Sequence, residues 1–470
     1  MFTTYRRSAA RLAAAGIATG LLAAGAFAGA ASAVADEAAT PSSSGATAVL
    51  DGIQSDLSDV ATVATKDGRT NTREAAGLFK MDLGGGKSIY TYCIDLFNST
   101  KPKAHYQEVP WSATSLYQQG KDRAKAGKIA WILNHSFPQV DDLGALAKTA
   151  GAGPLSKKTA AAGTQVAIWR LSDDPTAKAN DPAAEQLADY LSKTAVAVAE
   201  PDASLTLDPP SVSGKSGDRI GPVTVHTNAD SAAAEIAANA AGVKLVDADG
   251  KPVTTAKDGS KLYFDVPAGA EDGSTTVKVT ATTTVPIGRA FTGFGADDSA
   301  SQTQILAGSD TTPLTAQAAV TWAKKGPIPA VSAAVDCAKG GIDVTAANKG
   351  DEDLTFSLGG KDHTVAPGAS QTVLVPVAED QHYRIDVALP DKSVKSFEGV
   401  LDCKSATTAP TTPATTPANQ PSPAGSSQDL AATGSSNATP MIAGIAIALV
   451  ALGGGAVFFF RRKKNATGAE

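Results

Sequence analysis

The chain has 470 residues and a formal net charge of -6. That length predicts several domains rather than one core, and the mild acidity runs against the basic footprint of a nucleic-acid binder, so no nucleic-acid partner is expected. Aromatic residues make up 5% of the sequence and glycines number 44, which suits several small β-rich modules better than one large enzyme core. Three cysteines, Cys93, Cys337 and Cys403, leave one thiol to explain if the protein is exported.

Residues 1–35 read as a secretory signal peptide. Arg6, Arg7 and Arg11 precede an apolar run from Leu12 to Gly29, and small residues follow at Ala31-Ser32-Ala33 and Ala33-Val34-Ala35.

Residues 36–201 are expected to form the first domain. Leu78 to Leu83, the turn Gly84-Gly85-Gly86 and Ser88 to Leu96 predict a β-hairpin. In its second strand Ile89, Thr91, Cys93 and Asp95 share one face, with Tyr90, Tyr92 and Ile94 on the other. Asp95 is expected to be a solvated strand aspartate. Helices are predicted over Asp122 to Asn134, over Ser156 to about Ser172 with Ser156 as N-cap, and after the N-cap Asp181 and Pro182. On the second helix Ala161, Gln165, Ile168 and Trp169 make one stripe, so Gln165 points inward with the apolar residues.

A glutamine amide buried without partners costs on the order of 1–3 kcal/mol, so Gln165 must be satisfied or consumed. A nearby thiol would consume it: the thiolate attacks the amide carbonyl, ammonia leaves and a thioester remains. The residues alone leave other readings open. Cys93 could be an inert core thiol, a disulfide partner or an enzyme nucleophile served by His105 or His135; Gln165 could be a hydrogen-bonded core glutamine.

The motifs Tyr92-Cys93-Ile94 and Thr164-Gln165-Val166-Ala167-Ile168-Trp169 resemble those of the bacterial Cys–Gln thioester domains, also called TQXA domains, of Gram-positive surface adhesins. The resemblance implies an α+β thioester domain, a β-barrel or sandwich with packed helices, whose cross-link joins Cys93 to Gln165. Tyr92, Ile94, Asp95, Thr164, Ala167, Ile168 and Trp169 would support it. No cofactor or metal is called for, and the role implied is single-use capture of a lysine amine on a surface protein or polymer, not turnover. Two other classes stay open: a secreted cysteine-dependent acyl-transfer enzyme of transglutaminase or protease type, and a structural wall protein whose thiol does nothing.

Residues 202–326 read as an all-β, immunoglobulin-like sandwich, with strands near Leu205, Val223, Leu262 and Thr275 and an Asp249-Gly250 turn. Residues 327–404 read as a second such sandwich, in which Tyr383, Ile385, Val387 and Leu389 alternate. Cys337 and Cys403 bracket it and are expected to pair in an oxidising exterior.

Residues 405–429 are rich in Thr, Pro, Ala and Ser and predict a disordered wall linker, which at about 3.1 Å per residue would reach roughly 75 Å. The closing segment, 430–470, has three parts: Leu430-Ala431-Ala432-Thr433-Gly434, an apolar run from Met441 to Phe460 long enough to span a bilayer, and Arg461-Arg462-Lys463-Lys464. This order resembles the Gram-positive cell-wall sorting signal. It implies sortase cleavage between Thr433 and Gly434 and attachment to peptidoglycan. Ala431 stands where the commonest form has Pro and resembles the class E sortase variant.

Overall fold

The computed structural model describes residues 45–117, 123–237 and 241–403. The expected signal peptide, wall linker, sorting pentapeptide and membrane span lie outside these residues. Among the described residues no helix is long and apolar enough to cross a membrane.

The first part of the chain holds strands β1 (Thr47–Ala64), β2 (Asn71–Gly84), β3 (Lys87–Cys93), β4 (His105–Val109) and β5 (Lys178–Ala179), with helices α1 (Arg123–Asn134), α2 (Leu143–Ala150), α3 (Lys157–Ser172) and α4 (Pro182–Thr194). The middle part holds β6 (Leu205–Asp208), β7 (Ser211–Lys215), β8 (Arg219–Thr227), β9 (Ala232–Ile236), β10 (Lys244–Val246), β11 (Thr255–Ala256), β12 (Lys261–Asp265), β13 (Gly273–Thr283), β14 (Ala290–Phe294), β15 (Ala300–Ser309) and β16 (Thr312–Ala323). The last part holds β17 (Pro329–Asp336), β18 (Gly341–Asn348), β19 (Leu354–Leu358), β20 (Lys361–Val365), β21 (Ser370–Pro376), β22 (Gln381–Ala388) and β23 (Val394–Leu401).

The hairpin predicted around Gly84-Gly85-Gly86 is the β2–β3 pair, and all three glycines take positive φ. β2 also pairs with β1, which pairs with β4, and the ring continues through β14 and β15 back to β3. Every pairing in this closed six-strand barrel is antiparallel, so no strand of it is left with a free edge.

Two staves of that barrel come from the middle of the chain, which corrects the expected boundary at residues 201 and 202. β13 and β16 run antiparallel along their whole length, ending at Thr283 opposite Thr312, and the β14–β15 hairpin grows out of that end into the barrel. The composition of the hairpin explains its place. Ala290, Phe291, Ile305, Leu306 and Ala307 are all buried, so consecutive side chains on both faces need cover, and a barrel stave backed by protein gives it.

Arg289 fixes the entry to the hairpin. It donates to Glu108 on β4 at 2.8 Å and to Glu200 at 2.8 Å, while Glu108 also accepts from Ala46 N at 2.9 Å and from Ser204. A buried charge set of this kind holds because each member is paired.

The remaining middle strands form the expected sandwich, with sheets ordered β10-β12-β8-β6 and β11-β9-β13-β16-β7. One continuous apolar core runs from Ala46 to Trp322 through barrel, helices and sandwich. The last part is a second sandwich, β17-β18-β21 against β20-β19-β22-β23, with its own core and a Cys337–Cys403 disulfide at its base.

α3 begins as the sequence predicts, with Ser156 and Thr159 forming a reciprocal capping box, and α4 begins at Asp181 and Pro182. The one-sided stripe expected on α3 is corrected: every residue from Ala160 to Trp169 is buried. The helix sits between the β1–β2 wall, α1 and α4. Gly163 is required by that packing, since a Cβ there would stand 2.5 Å from the Ala184 carbonyl oxygen.

The inserted hairpin predicts that residues 36–201 do not fold alone. Thermal melting followed by circular dichroism should show a cooperative transition for a fragment ending at residue 326 and none for one ending at 201, because the shorter piece leaves β3 and β4 without their neighbours.

Candidate functional site: Cys93 and Gln165

Cys93 closes β3, at the point where the chain leaves the barrel. Its strand is held by β15, with Gln304 opposite Cys93, and Ile94 N donates to Thr303 O at 3.1 Å. α3 crosses this strand end and delivers Gln165. Neither Cys93 nor Gln165 has any solvent-exposed surface (0% each).

The Gln165 amide docks on Cys93 itself. Cys93 N–H donates to Gln165 Oε1 at 3.0 Å, and Gln165 Nε2 donates to Cys93 O at 2.8 Å. The glutamine is therefore satisfied by the main chain of the very residue whose side chain would attack it. The donor on Oε1 also polarises the carbonyl and stands where charge would develop if a nucleophile added to Cδ. Asp95 N donates to Cys93 Sγ at 3.3 Å, which orients the sulfur.

The supporting residues fall into two sets. Thr164 is buried and donates to Ala160 O at 2.8 Å. The Tyr92 hydroxyl donates to Phe137 O at 2.7 Å and is also linked to Thr164, so the two motifs meet on this side as well. Ile94, Ala167 and Ile168 are buried packing residues. Trp169, one turn beyond Gln165, is 2% exposed, and its indole N–H has no hydrogen-bond partner of ordinary geometry. It lies close enough to the sulfur to favour the thiolate modestly.

Burial pushes the Cys93 thiol well above its usual range, and the nearby Asp173 and Asp95 carboxyls push it further. Attack therefore requires the proton to leave as the carbon–sulfur bond forms. Asp95 is buried, 7% exposed, which corrects the expected solvated aspartate; desolvation pushes its carboxyl up to about 6. Asp95 accepts from Asn98 at 2.9 Å and from Thr303 N at 3.3 Å.

Asp173 was missed by sequence reasoning, which took it as a helix end. It caps α3, accepts from Leu96 N at 3.2 Å and from Ser172 at 2.7 Å, and its carboxyl is pushed up to about 8 by desolvation although the residue keeps some solvent contact. The signal was present: Gln165, Trp169 and Asp173 are spaced by four, which is one face of a helix. Thr303 and Gln304 had no local signal, since they approach Cys93 only through the inserted hairpin.

The alternatives can now be sorted. Cys93 is the free cysteine and Cys337 is bonded to Cys403. His105 and His135 are both exposed, and His135 stacks on Trp131 at 3.9 Å, so neither serves Cys93 as a base. Among the described residues Glu379, Asp380 and Asp402 bring one oxygen each within 4.8 Å of one another. Their neighbours Asn98 and Thr303 already hydrogen-bond Asp380 and Asp402, and no metal is assigned to the group.

Comparison with known proteins agrees with the geometry. Residues 90–197, which contain both motifs, match the family model described as a thioester domain. The similarity to the thioester-domain family is confined to this region. Among solved structures it is similar to the Bacillus anthracis TIE protein, at 16% identity and a TM-score of 0.26, covering 76% of this chain and 64% of that one. It thus spans less than two thirds of that protein. The thioester domain of the Enterococcus faecium TIE86 protein is matched at 19% identity and a TM-score of 0.28, covering 61% of this chain and 99% of that one. Fibronectin(III)-like modules of Clostridium thermocellum CbhA are matched at 12% identity and a TM-score of 0.14, covering 43% of this chain and 95% of that one. No curated protein matches the chain. At TM-scores this low the family match and the site geometry carry the reading.

The raised carboxyls give the site a pH signature. A carboxyl whose folded pKa is raised lends stability that is fully present below the ordinary carboxylate range and is lost as pH rises through the folded value. For Asp95 that loss begins in the ordinary carboxylate range and is complete once the pH has passed about 6, and for Asp173 once it has passed about 8. Urea midpoints should therefore fall from mildly acidic to mildly alkaline pH, and Asp95→Asn should flatten the first part of the decline.

Proposed function

We propose that Cys93 and Gln165 form an internal thioester and that the protein is a surface adhesin using it once, to capture an amine covalently. The observation that supports this most is the docking of the Gln165 amide on the main chain of Cys93, the residue that carries the sulfur.

The chemistry balances without a cofactor. Cys93 S–H and the Gln165 carboxamide give a Cys93 Sγ–Cδ bond and release ammonia; the thiol proton leaves with the nitrogen. A partner amine then adds to Cδ, Cys93 Sγ departs and regains a proton, and an amide joins Gln165 to the partner. The Cys93 N–H serves both steps, because each passes through an oxyanion on Oε1. Burial by α3, Trp169 and the barrel keeps water from spending the bond before a target arrives.

A lysine with a reference pKa of about 10.4 is neutral in roughly one copy in a thousand at neutral pH. Capture is therefore slow for a free amine and faster for one held in place by docking. One event consumes the group, so the protein is not an enzyme. Export through residues 1–35, sortase cleavage at Thr433 and attachment to peptidoglycan would present the site at the cell surface.

Intact mass tests this. The mature chain should be lighter by one ammonia, Cys93→Ala and Gln165→Ala should both abolish the deficit, and methylamine should add to the wild type alone. A full-mass wild type with a titratable thiol would end the proposal.

A further inference from the structure

The last sandwich touches the thioester site. Asp380, just before β22, and Asp402, just after β23, project from it toward the loop that follows Cys93. Asn98 Nδ2 donates both to Asp95 Oδ2 at 2.9 Å and to Asp380 Oδ1 at 3.0 Å. Thr303 donates its hydroxyl to Asp402 and its N–H to Asp95 Oδ2 at 3.3 Å. Asp95 N in turn holds Cys93 Sγ. The contact is broader than these bonds: Ser299 makes a β-bridge with Gln381, and Phe294 of β14 packs on His382 with ring centroids 4.0 Å apart.

Resting on the thioester reading above, we infer that the last sandwich is a built-in latch on the site. Asp380 and Asp402 are positioning residues that hold the Cys93 loop shut through Asn98, Thr303 and Asp95, and the latch depends on a proton retained by Asp95 or Asp402.

The charge balance is the reason. Asp95, Asp380, Asp402 and Glu379 converge from two domains, and no lysine or arginine bonds Asp95, Asp380 or Asp402 among the described residues. Lys66, in the β1–β2 turn, acts on Asp95 only from a distance, and Asp173 adds a further carboxyl from the end of α3. Tyr106 of β4 spends its hydroxyl on Ser301 and Gln302 O. His382 faces Asp298 at 3.6 Å rather than the cluster's hydrogen bonds. Like charges this close cannot all ionise, so at least one proton must be retained for the domains to meet. Burial and the neighbouring carboxyls accordingly push Asp402 well up. As pH rises the proton is lost, repulsion separates Asp380 and Asp402 from the loop, and the Cys93 side of the site opens.

The test uses the mature full-length chain in chelator, with methylamine capture read by intact mass from about pH 5 to about pH 8 for the wild type, Asp402→Asn and Asp380→Asn. Asparagine keeps the acceptor for Thr303 or Asn98 and removes one negative charge from the cluster. Dividing wild-type by variant rates cancels the ionisation of the amine. The ratio should rise about tenfold over that range, the equivalent of one pKa unit of coupling. A merely structural contact would change the rates without making their ratio depend on pH, and a constant ratio overturns the latch.

Hydrogen exchange of residues 93–98 in the wild type gives a readout that needs neither variant nor thioester. Exchange should accelerate with pH beyond that of the same peptide in the unfolded chain, and exchange that follows the unfolded control overturns the latch. A wild type lacking the ammonia deficit would instead remove the thioester reading, leaving the exchange result to decide whether the domains are coupled.

Discussion

The two hydrogen bonds between the Gln165 amide and the Cys93 main chain are the constraint on which the site depends. They fix the acyl carbon against the strand end that carries the sulfur, and they satisfy an amide that would otherwise be buried at a cost. They also differ from the simplest expectation. A buried glutamine does not have to be consumed to be tolerated; here it is tolerated because a main-chain N–H and C=O left over at the end of β3 are available to it. In the proposed reaction the same N–H would serve as the polarising donor when sulfur adds, so one group would serve the resting and the reactive arrangement.

Holding that strand end in place is the work of the barrel. β3 would be an edge were it not for β15, and β15 belongs by sequence to the middle sandwich. The inserted hairpin explains why one apolar core runs through both regions and why charged residues as far apart as Glu108, Glu200 and Arg289 meet in a buried set. It also gives the site a mechanical setting. A pull transmitted through β16 reaches β15, the strand paired to Cys93.

The electrostatics follow from the same closure. Enclosing a thiol, Asp95, Asp173 and Asp402 favours their neutral forms, because burial removes the water that would stabilise their charges. A neutral thiol is a poor nucleophile and a protonated carboxyl a poor base.

Much was legible in the residues themselves. The Gly84-Gly85-Gly86 turn, the capping box at Ser156, the Asp181-Pro182 start and the alternation in β22 are local features, set by backbone preferences that act over a few residues, and each appears where the pattern put it. The two motifs named Cys93 and Gln165 as a pair, and the bracketing positions of Cys337 and Cys403 named another. What tertiary structure decided was everything that depends on contact across long separations: the loan of β14 and β15 to the first barrel, the burial of α3 on all sides, the burial of Asp95, and the approach of Asp380 and Asp402. A hydrophobic period reports how many faces of an element are covered, not by what. For that reason a strand lent from another domain and an aspartate shielded by one leave no mark in the local sequence.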